Sequence, residues 1–571
     1  MKVLLTALNA KYIHSNLAIR YLKAYTEDLN YDCCIKEFSI NDNTERIIQS
    51  IISEEPDVVG FSCYIWNIEY IERIATLIKL IRKDIIIILG GPEVSYDPRS
   101  YLEKGYCDYI IAGEGEKTYR EFILYIIEGI SKGEENTSEI SCIKGLSYIR
   151  NGYIENEDRE LMDMNKIAFP YKADEDLNNK IVYYEASRGC PFGCKYCLSS
   201  TVRGVRFLET ERVKKELQFF IDKNVRLVKF VDRTFNCNSK FSKDIWSFLI
   251  NNNTDTTFHF EISADILTKE ELEILREAPV GRFQFEVGVQ TTNEKVLKNI
   301  NRQINFDDIK VKVDELMKMK NIKQHLDLIA GLPGEDYESF IKSFNDLYSI
   351  EPEEIQLGFL KLLKGSQMRK EADLWGMVYS PYAPYEILKN NHISYEEMVK
   401  LKRVEEMVDK YYNSGKFKTI IKYFLSKFSN PFSFYHALGE YFYIKGYLSR
   451  SISSSDYYKV FLEFNEEVLR EENHVIREIV KFDYLLFNKK RWLPSFLNRE
   501  EDKNLNREFL KKAEEAGLID KSESNNYHIE KFTVDIHEFI DKSIIHKGDY
   551  YVLFKENHNN FSRKINDIIK K

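Results

Sequence analysis

The sequence predicts an α/β chain in three parts: a doubly wound parallel sheet, then a barrel-like parallel sheet, then a mainly helical C-terminal region. Two observations carry this reading. Short apolar runs alternate with amphipathic helical patterns over residues 1–135 and again over 181–372, and that alternation marks parallel strands joined by covering helices. The runs stop at turn-forming clusters such as Gly90-Gly91-Pro92 and Gly113-Glu114-Gly115-Glu116, as strands entering loops do.

In the first stretch, strands are expected at Lys2–Leu8, Cys33–Ile40, Asp57–Ser62, Ile85–Leu89 and Tyr109–Ala112. Helices are expected around Leu17–Leu22 and at Thr44–Ser53, Ile68–Arg82 and Lys117–Ile130. Such units fit an open sheet that binds ligands beyond the carboxyl ends of its strands. Residues 136–180 are polar and read as a linker, with a hairpin at Asn151-Gly152. In the second stretch the strands are Ile181–Ala186, Leu227–Val231, Thr257–Ile262, Phe283–Val289, His325–Ile329 and Glu354–Leu360. A series of this kind predicts a barrel-like sheet with site residues at the strand C-termini.

Residues 373–571 lose the rhythm and read as helices and loops rich in Tyr and Phe. Lys416, Lys418, Lys422 and Lys427 interleave there with Ile420, Ile421, Phe424, Leu425 and Phe428. That is the pattern of an amphipathic helix whose lysines lie over a packed core. The group Arg491-Trp492-Leu493-Pro494 has no assignment.

The length of 571 residues suits three or four domains at roughly 150 residues each. With 43% hydrophobic and 30% charged residues, the chain has the makeup of a globular protein. A net charge of −9 argues against gripping nucleic acid by bulk charge, so no nucleic-acid partner is expected. The most apolar stretch, Ile85–Leu89, falls far short of the ~20 residues a membrane-spanning helix needs. Val3–Leu8 is too short for a signal-peptide core and no small-residue cleavage site follows. A cytoplasmic protein is expected.

The cytosol keeps thiols reduced, so its nine cysteines do not read as a disulfide scaffold. Cys33, Cys34, Cys63, Cys107, Cys142 and Cys237 are scattered, whereas Cys190, Cys194 and Cys197 form Cys-x3-Cys-x2-Cys. Three thiolates on one tight loop can hold three irons of a four-iron cluster and leave the fourth iron open to a ligand. Gly189, Pro191 and Gly193 allow such a loop to wrap closely. Two other readings stand beside it. A structural zinc site wants four ligands, usually in paired Cys-x2-Cys elements. A thioredoxin-like dithiol would use only Cys194 and Cys197.

Cys-x3-Cys-x2-Cys with Tyr196 just before the last cysteine resembles the signature of the radical S-adenosylmethionine (SAM) superfamily. The resemblance extends to Phe230–Phe235, Phe285–Thr291 and Asp327–Glu335 at the ends of the second, fourth and fifth strands, with Phe260–Asp265 ending the third. It implies a partial (β/α)6 barrel and a [4Fe-4S] cluster on Cys190, Cys194 and Cys197, with SAM on the open iron. SAM cleavage then yields a 5′-deoxyadenosyl radical. By the same resemblance Tyr196, Asp232, Glu261, Glu286 and Gln290 are candidates to bind SAM. A small electron donor such as flavodoxin or ferredoxin is the implied partner, and no catalytic residue is assigned.

The first stretch has neither G-x-G-x-x-G nor a Walker lysine. Its strand-end loops resemble instead the cobalamin-binding domain of B12-dependent radical SAM proteins, within a group whose barrel is followed by a C-terminal domain of no established chemistry. The cobalamin contacts so implied are Asn9, Tyr12, His14, Ser62, Tyr64, Gly90, Gly91, Glu114, Gly115 and Glu116. The motif Asp-x-His-x2-Gly is absent. Cobalt is therefore expected to lack a protein ligand on its lower face, or His14 to play an unusual part.

The expected function is a cobalamin-dependent radical SAM methyltransferase acting on an unactivated carbon or phosphorus centre. Two alternatives stay open: a radical enzyme that cyclises, rearranges or oxidises without methylating, and a corrin or redox sensor without catalysis.

Overall fold

The computed structural model describes residues 1–132, 140–488, 493–497, 503–519, 522, 526–556 and 561–569. Arg491 and Trp492 of the unassigned group, and most of the polar run after Lys132, lie outside the described residues. The chain divides into two compact units, Met1–Phe340 with Gly358–Ser394, and Ile341–Leu357 with Tyr395–Lys571.

The first unit opens with β1 (Lys2–Asn9), β2 (Asp32–Ser39), β3 (Val58–Ser62), β4 (Ile86–Gly90) and β5 (Tyr109–Ile111). Successive side chains of β1 serve opposite faces. Leu4 and Leu8 join one apolar core with Val59, Phe61, Ile87 and Leu89. Val3, Leu5 and Ala7 join a second core with Val58, Ile88 and Ile111. Both faces are covered, as the uninterrupted apolar runs require.

The stretch read as a linker departs from that expectation. It contributes β6 (Leu146–Ile149) and β7 (Tyr153–Glu155), which extend the sheet to the order β2-β1-β3-β4-β5-β6-β7. Both pair antiparallel, through the expected turn at Asn151 and Gly152, each at positive φ. Strands of three or four residues are too short to announce themselves by alternation.

The second sheet is built from β8 (Ile181–Tyr184), β11 (Leu227–Phe230), β12 (Thr257–Ile262), β13 (Phe283–Gln290), β14 (Ile322–Ala330) and β15 (Glu354–Phe359). Its order is β15-β14-β13-β12-β11-β8, an open row containing each expected strand. Between the first two of these, β9 (Ser187–Cys190) and β10 (Gly204–Phe207) form an antiparallel hairpin that the sequence reading left as loop. Burial alternates strictly along β14 and nearly so along β13. Phe260, Phe283 and Phe285 are fully buried on one face. Lys229, Glu261, Glu286, His325 and Asp327 stay half-buried on the other.

At the start of β8 the Ile181 amide donates to the Ile13 carbonyl at 2.8 Å, a single bridge to the first domain. A short hairpin, β16 (Val378–Tyr379) and β17 (Ile387–Lys389), completes the first unit.

The second unit is mainly helical, with helices at Tyr395–Met407, Lys418–Leu425, Pro431–Ile444, Asp456–Phe464 and His474–Phe487. It also holds an antiparallel sheet absent from the sequence reading, β18 (Tyr527–Val534), β19 (Lys547–Lys555) and β20 (Ser562–Lys564). The basic–aromatic stretch serves the core: Ile420, Ile421 and Phe424 are buried. Lys422 donates to the Ile540 carbonyl and Lys427 pairs with Glu471 at 2.8 Å. Among the described residues no helix is long and apolar enough to cross a membrane.

Candidate cofactor site

The hairpin β9–β10 carries the first cluster cysteine and is fixed from below by Asp232. That carboxylate accepts from the Ala186 amide at 3.0 Å and the Ser187 hydroxyl at 2.5 Å. Burial pushes it up to about 7. Both oxygens are committed to the chain and the residue is 1% exposed, so the structure brings Asp232 to the loop as its anchor. Gly189 sits at φ +105°, where a Cβ would lie 2.1 Å from the Gly204 carbonyl oxygen. Only glycine fits there.

The loop's backbone is satisfied by its neighbours. Lys195 donates its amide to the Ile300 carbonyl and accepts from Met368 (3.0 and 2.8 Å). Asn301 donates to the Gly193 carbonyl (2.8 Å). The Ser200 hydroxyl reaches the carbonyls of Cys194 and Cys197 (2.8 and 2.6 Å). With the main chain so held, all three cysteines remain free thiols, Cys194 buried and the other two half-buried.

Sequence reasoning missed Arg302. Its Nη1 lies 3.6 Å from Cys194 Sγ and 3.5 Å from the Tyr196 hydroxyl, and its Nη2 donates to the Gly288 carbonyl. Burial pushes the Cys194 thiol up, and the guanidinium works against that rise. No motif marks Arg302, which follows a helix and not a strand end. Cys237, read as scattered, lies close enough to Cys190 to feel its charge; burial, the larger cause, pushes its thiol to about 11.

Among the described residues no three His, Cys, Asp or Glu side chains converge on one metal ion. A closed zinc site needs such convergence, whereas the thiolates of an iron–sulfur cube bind different irons. Three free thiols on one short loop are a donor set that fits three irons of such a cluster.

Beyond the loop, the half-buried face of the second sheet gathers charge. Glu286 lies 3.2 Å from both Lys229 Nζ and His259 Nε2. Burial opposes its ionisation, yet those two groups together hold it down at about 2. Glu261 is raised by burial, with Arg233 at 3.7 Å opposing. Asp327 is raised far above its usual range by burial and by the neighbouring Glu286 and Glu261.

Gln290 holds a positive φ of 71°. Its Oε1, the Oδ1 of Asp327 and the Nε of Arg302 are buried without a partner. Buried polar atoms are normally paired, and SAM carries an ammonium, a carboxylate and hydroxyls that suit these atoms.

In the first domain, the expected cobalamin residues divide into two sets. Asn9 donates to the His14 carbonyl (2.9 Å), His14 Nδ1 lies 3.2 Å from the Tyr183 hydroxyl, and Ser62 accepts from Asn16 (3.0 Å). Glu114 accepts from the Met162 amide (2.9 Å) and from Arg206, and Glu116 pairs with Arg188. These are engaged within the protein.

In the other set, Tyr12 is 73% exposed with the Lys180 ammonium 4.0 Å over its ring, and Tyr64 stacks on Trp66 at 4.3 Å. Gly90, Gly91 and Gly115 line the strand ends, and a Cβ on Gly91 (φ +117°) would lie 2.5 Å from the Cys63 carbonyl oxygen. Glu116 Oε2 is buried without a partner. The Glu116 acceptor fits a ligand rich in amide donors, as a corrin is.

Three family models match in chain order: "B12 binding domain" over residues 3–123, "Radical SAM superfamily" over 184–347 and "Protein of unknown function (DUF4080)" over 373–554. The chain carries a B12-binding domain followed by a radical SAM domain. The cofactors of these domains are a [4Fe-4S] cluster, SAM and cobalamin, and the chain is an enzyme.

An uncharacterised methyltransferase of Pyrococcus horikoshii is 25% identical over 410 residues, 68% of this chain and 86% of the relative. The 2-(S-pantetheinyl)-carbapenam-3-carboxylate methyltransferase of Streptantibioticus cattleyicolor is 26% identical over 50% of this chain, which spans 44% of that protein. The fold is shared with the radical SAM methyltransferase TsrM of Kitasatospora setae, solved with cobalamin and a [4Fe-4S] cluster bound. That match has a TM-score of 0.54 at 16% identity and covers 68% of this chain and 79% of TsrM.

Proposed function

We propose that this radical SAM protein is a methyltransferase acting on a carbon or phosphorus centre that offers no lone pair to a conventional methyl donor. The observation that carries the reading is a loop of three free cysteines, Cys190, Cys194 and Cys197, in the same compact unit as the matched B12-binding domain. The methyltransferases among its relatives support it. When bound, such a cofactor set supplies hydrogen abstraction and methyl delivery, chemistry that belongs to the cofactors while the protein binds and orients.

Each residue's proposed part follows from its surroundings. Cys190, Cys194 and Cys197 hold the cluster, with Arg302 favouring the thiolate of Cys194. Tyr196, Glu261, Glu286 and Gln290 bind SAM, Gln290 through its unpaired Oε1. Asp232 keeps the hairpin in place. Gly90, Gly91 and Gly115 stand at the strand ends where the corrin would lie, and Tyr64 with Trp66 offers it a stacked ring pair. The half-buried polar face of the second sheet suits a substrate with hydrogen-bonding groups more than a wholly apolar one.

The test is a product assay with cluster-reconstituted, cobalamin-loaded protein under oxygen-free reduction, against candidate acceptors. S-adenosylhomocysteine formed in step with 5′-deoxyadenosine is the expected result. Deoxyadenosine alone, with a converted but unmethylated substrate, would replace this reading with a non-methylating radical reaction.

A further inference from the structure

Two arginines stand directly opposite each other on the hairpin that carries Cys190, Arg188 on β9 and Arg206 on β10. Like charges so placed repel. The hairpin is nonetheless closed, because the loop after β5 supplies the counter-charges. Glu114 pairs with Arg206 and lies 3.7 Å from Arg188 Nη1, and Glu116 pairs with Arg188 Nη2. Glu185 adds a third carboxylate to Arg188 at 2.9 Å. Arg188 and Glu116 have side chains only 13% and 5% exposed, so salt and water weaken the contact little.

Glu116 thus faces two ways. One oxygen grips the residue two places before Cys190, and the other, Oε2, is buried with no partner among the described residues, in the first turn of the helix Gly115–Lys132 of the B12-binding domain. Corrin side chains carry amide N–H donors, which is what that oxygen lacks.

We propose that Glu116 and Arg188 are positioning residues that couple the two cofactor sites, so that cobalamin on the first domain and SAM on the cluster each tighten the other's binding. A donor at Oε2 fixes the carboxylate, the carboxylate fixes the Arg188 fork, and the fork fixes the hairpin on which the cluster rests. Linkage makes the effect reciprocal. The inference rests on the cofactor assignment but not on methylation, since neither ligand needs an acceptor present.

The experiment uses the full chain with its cluster reconstituted. SAM affinity is read from the electron paramagnetic resonance spectrum of the reduced cluster, with and without hydroxocobalamin. In the natural protein hydroxocobalamin should tighten SAM binding about fivefold or more. In Glu116→Gln the ratio should fall below about twofold, and Glu116→Asp, which keeps the charge, should regain part of it. Arg188→Lys, which keeps charge but loses the fork, should behave as Glu116→Gln does and stands in for it if that variant misfolds. A SAM affinity indifferent to hydroxocobalamin in the natural protein, or an unchanged ratio in Glu116→Gln and Arg188→Lys, would overturn the proposal. Absence of a methylated product in the separate acceptor assay would leave this result standing.

Discussion

Cys237 and the three loop cysteines are chemically alike but differ in what surrounds them. The Cys194 and Cys197 carbonyls accept from Ser200 and a guanidinium opposes the burial that raises the Cys194 thiol, whereas at Cys237 burial and the nearby Cys190 both push the thiol up. Replacing Cys190, Cys194 or Cys197 by Ala should abolish deoxyadenosine formation and lower bound iron. Cys237→Ser should keep iron content and turnover near the natural level. Iron and sulfide analysis of the reconstituted proteins separates the two outcomes.

Asp232 gives a pH signature. Its folded carboxyl is raised by burial to about 7, against about 3.9 in an unfolded chain. The folded state holds a proton that the unfolded state has released, so the favourable contribution is full below about pH 4 and is lost as pH rises through about 7. The thermal midpoint of Asp232→Asn should therefore fall less between about pH 5 and 8 than that of the natural protein, as differential scanning fluorimetry of the apoprotein would show. The cysteines and the strand-end carboxylates were legible because spacing and strand position mark them. Arg302 was not: it meets Cys194 from 108 positions away in the chain, and only tertiary contact identifies it.

At the level of elements, two glycines set how closely loops approach. Gly189→Ala puts a methyl 2.1 Å from the Gly204 carbonyl oxygen, and Gly91→Ala one 2.5 Å from that of Cys63. Both sit at positive φ, so neither can relax by a small rotation. Gly189→Ala should lose cluster loading while retaining hydroxocobalamin binding, and Gly91→Ala the reverse. Absorbance titration with each cofactor checks the pair. The long parallel strands could be read from apolar runs and glycine stops. The pair β6–β7 announced itself only through its turn at Asn151-Gly152 and β9–β10 not at all, since strands of three or four residues show no period. In the second sheet's hairpin, moreover, the residues that matter are a glycine and two arginines, none a strand former.

Across the whole molecule, the division into units does not follow the order of the chain. Ile341–Leu357 belongs with the helical C-terminal region although it lies between barrel elements in sequence. Phe344 packs on Phe432 at 5.6 Å and Tyr348 on Tyr435 at 5.9 Å. A chain stopped at Ser394 keeps Phe344 and Tyr348 but loses their partners, leaving aromatic surface uncovered. It should elute as aggregate in size-exclusion chromatography and bind a hydrophobic dye. Domain order was legible from the rhythm of the sequence, whereas this interleaving depends on which aromatic rings meet.

The seam between Ile13 and Ile181 has a consequence of its own. Main-chain groups along an unpaired rim invite strands from other molecules, and here the leading module meets the first residue of that rim. Stripped of that module, the remaining protein should stack rim to rim and polymerise however intact its iron–sulfur loop. The leading module thus guards one end of that rim as well as carrying the B12-binding domain.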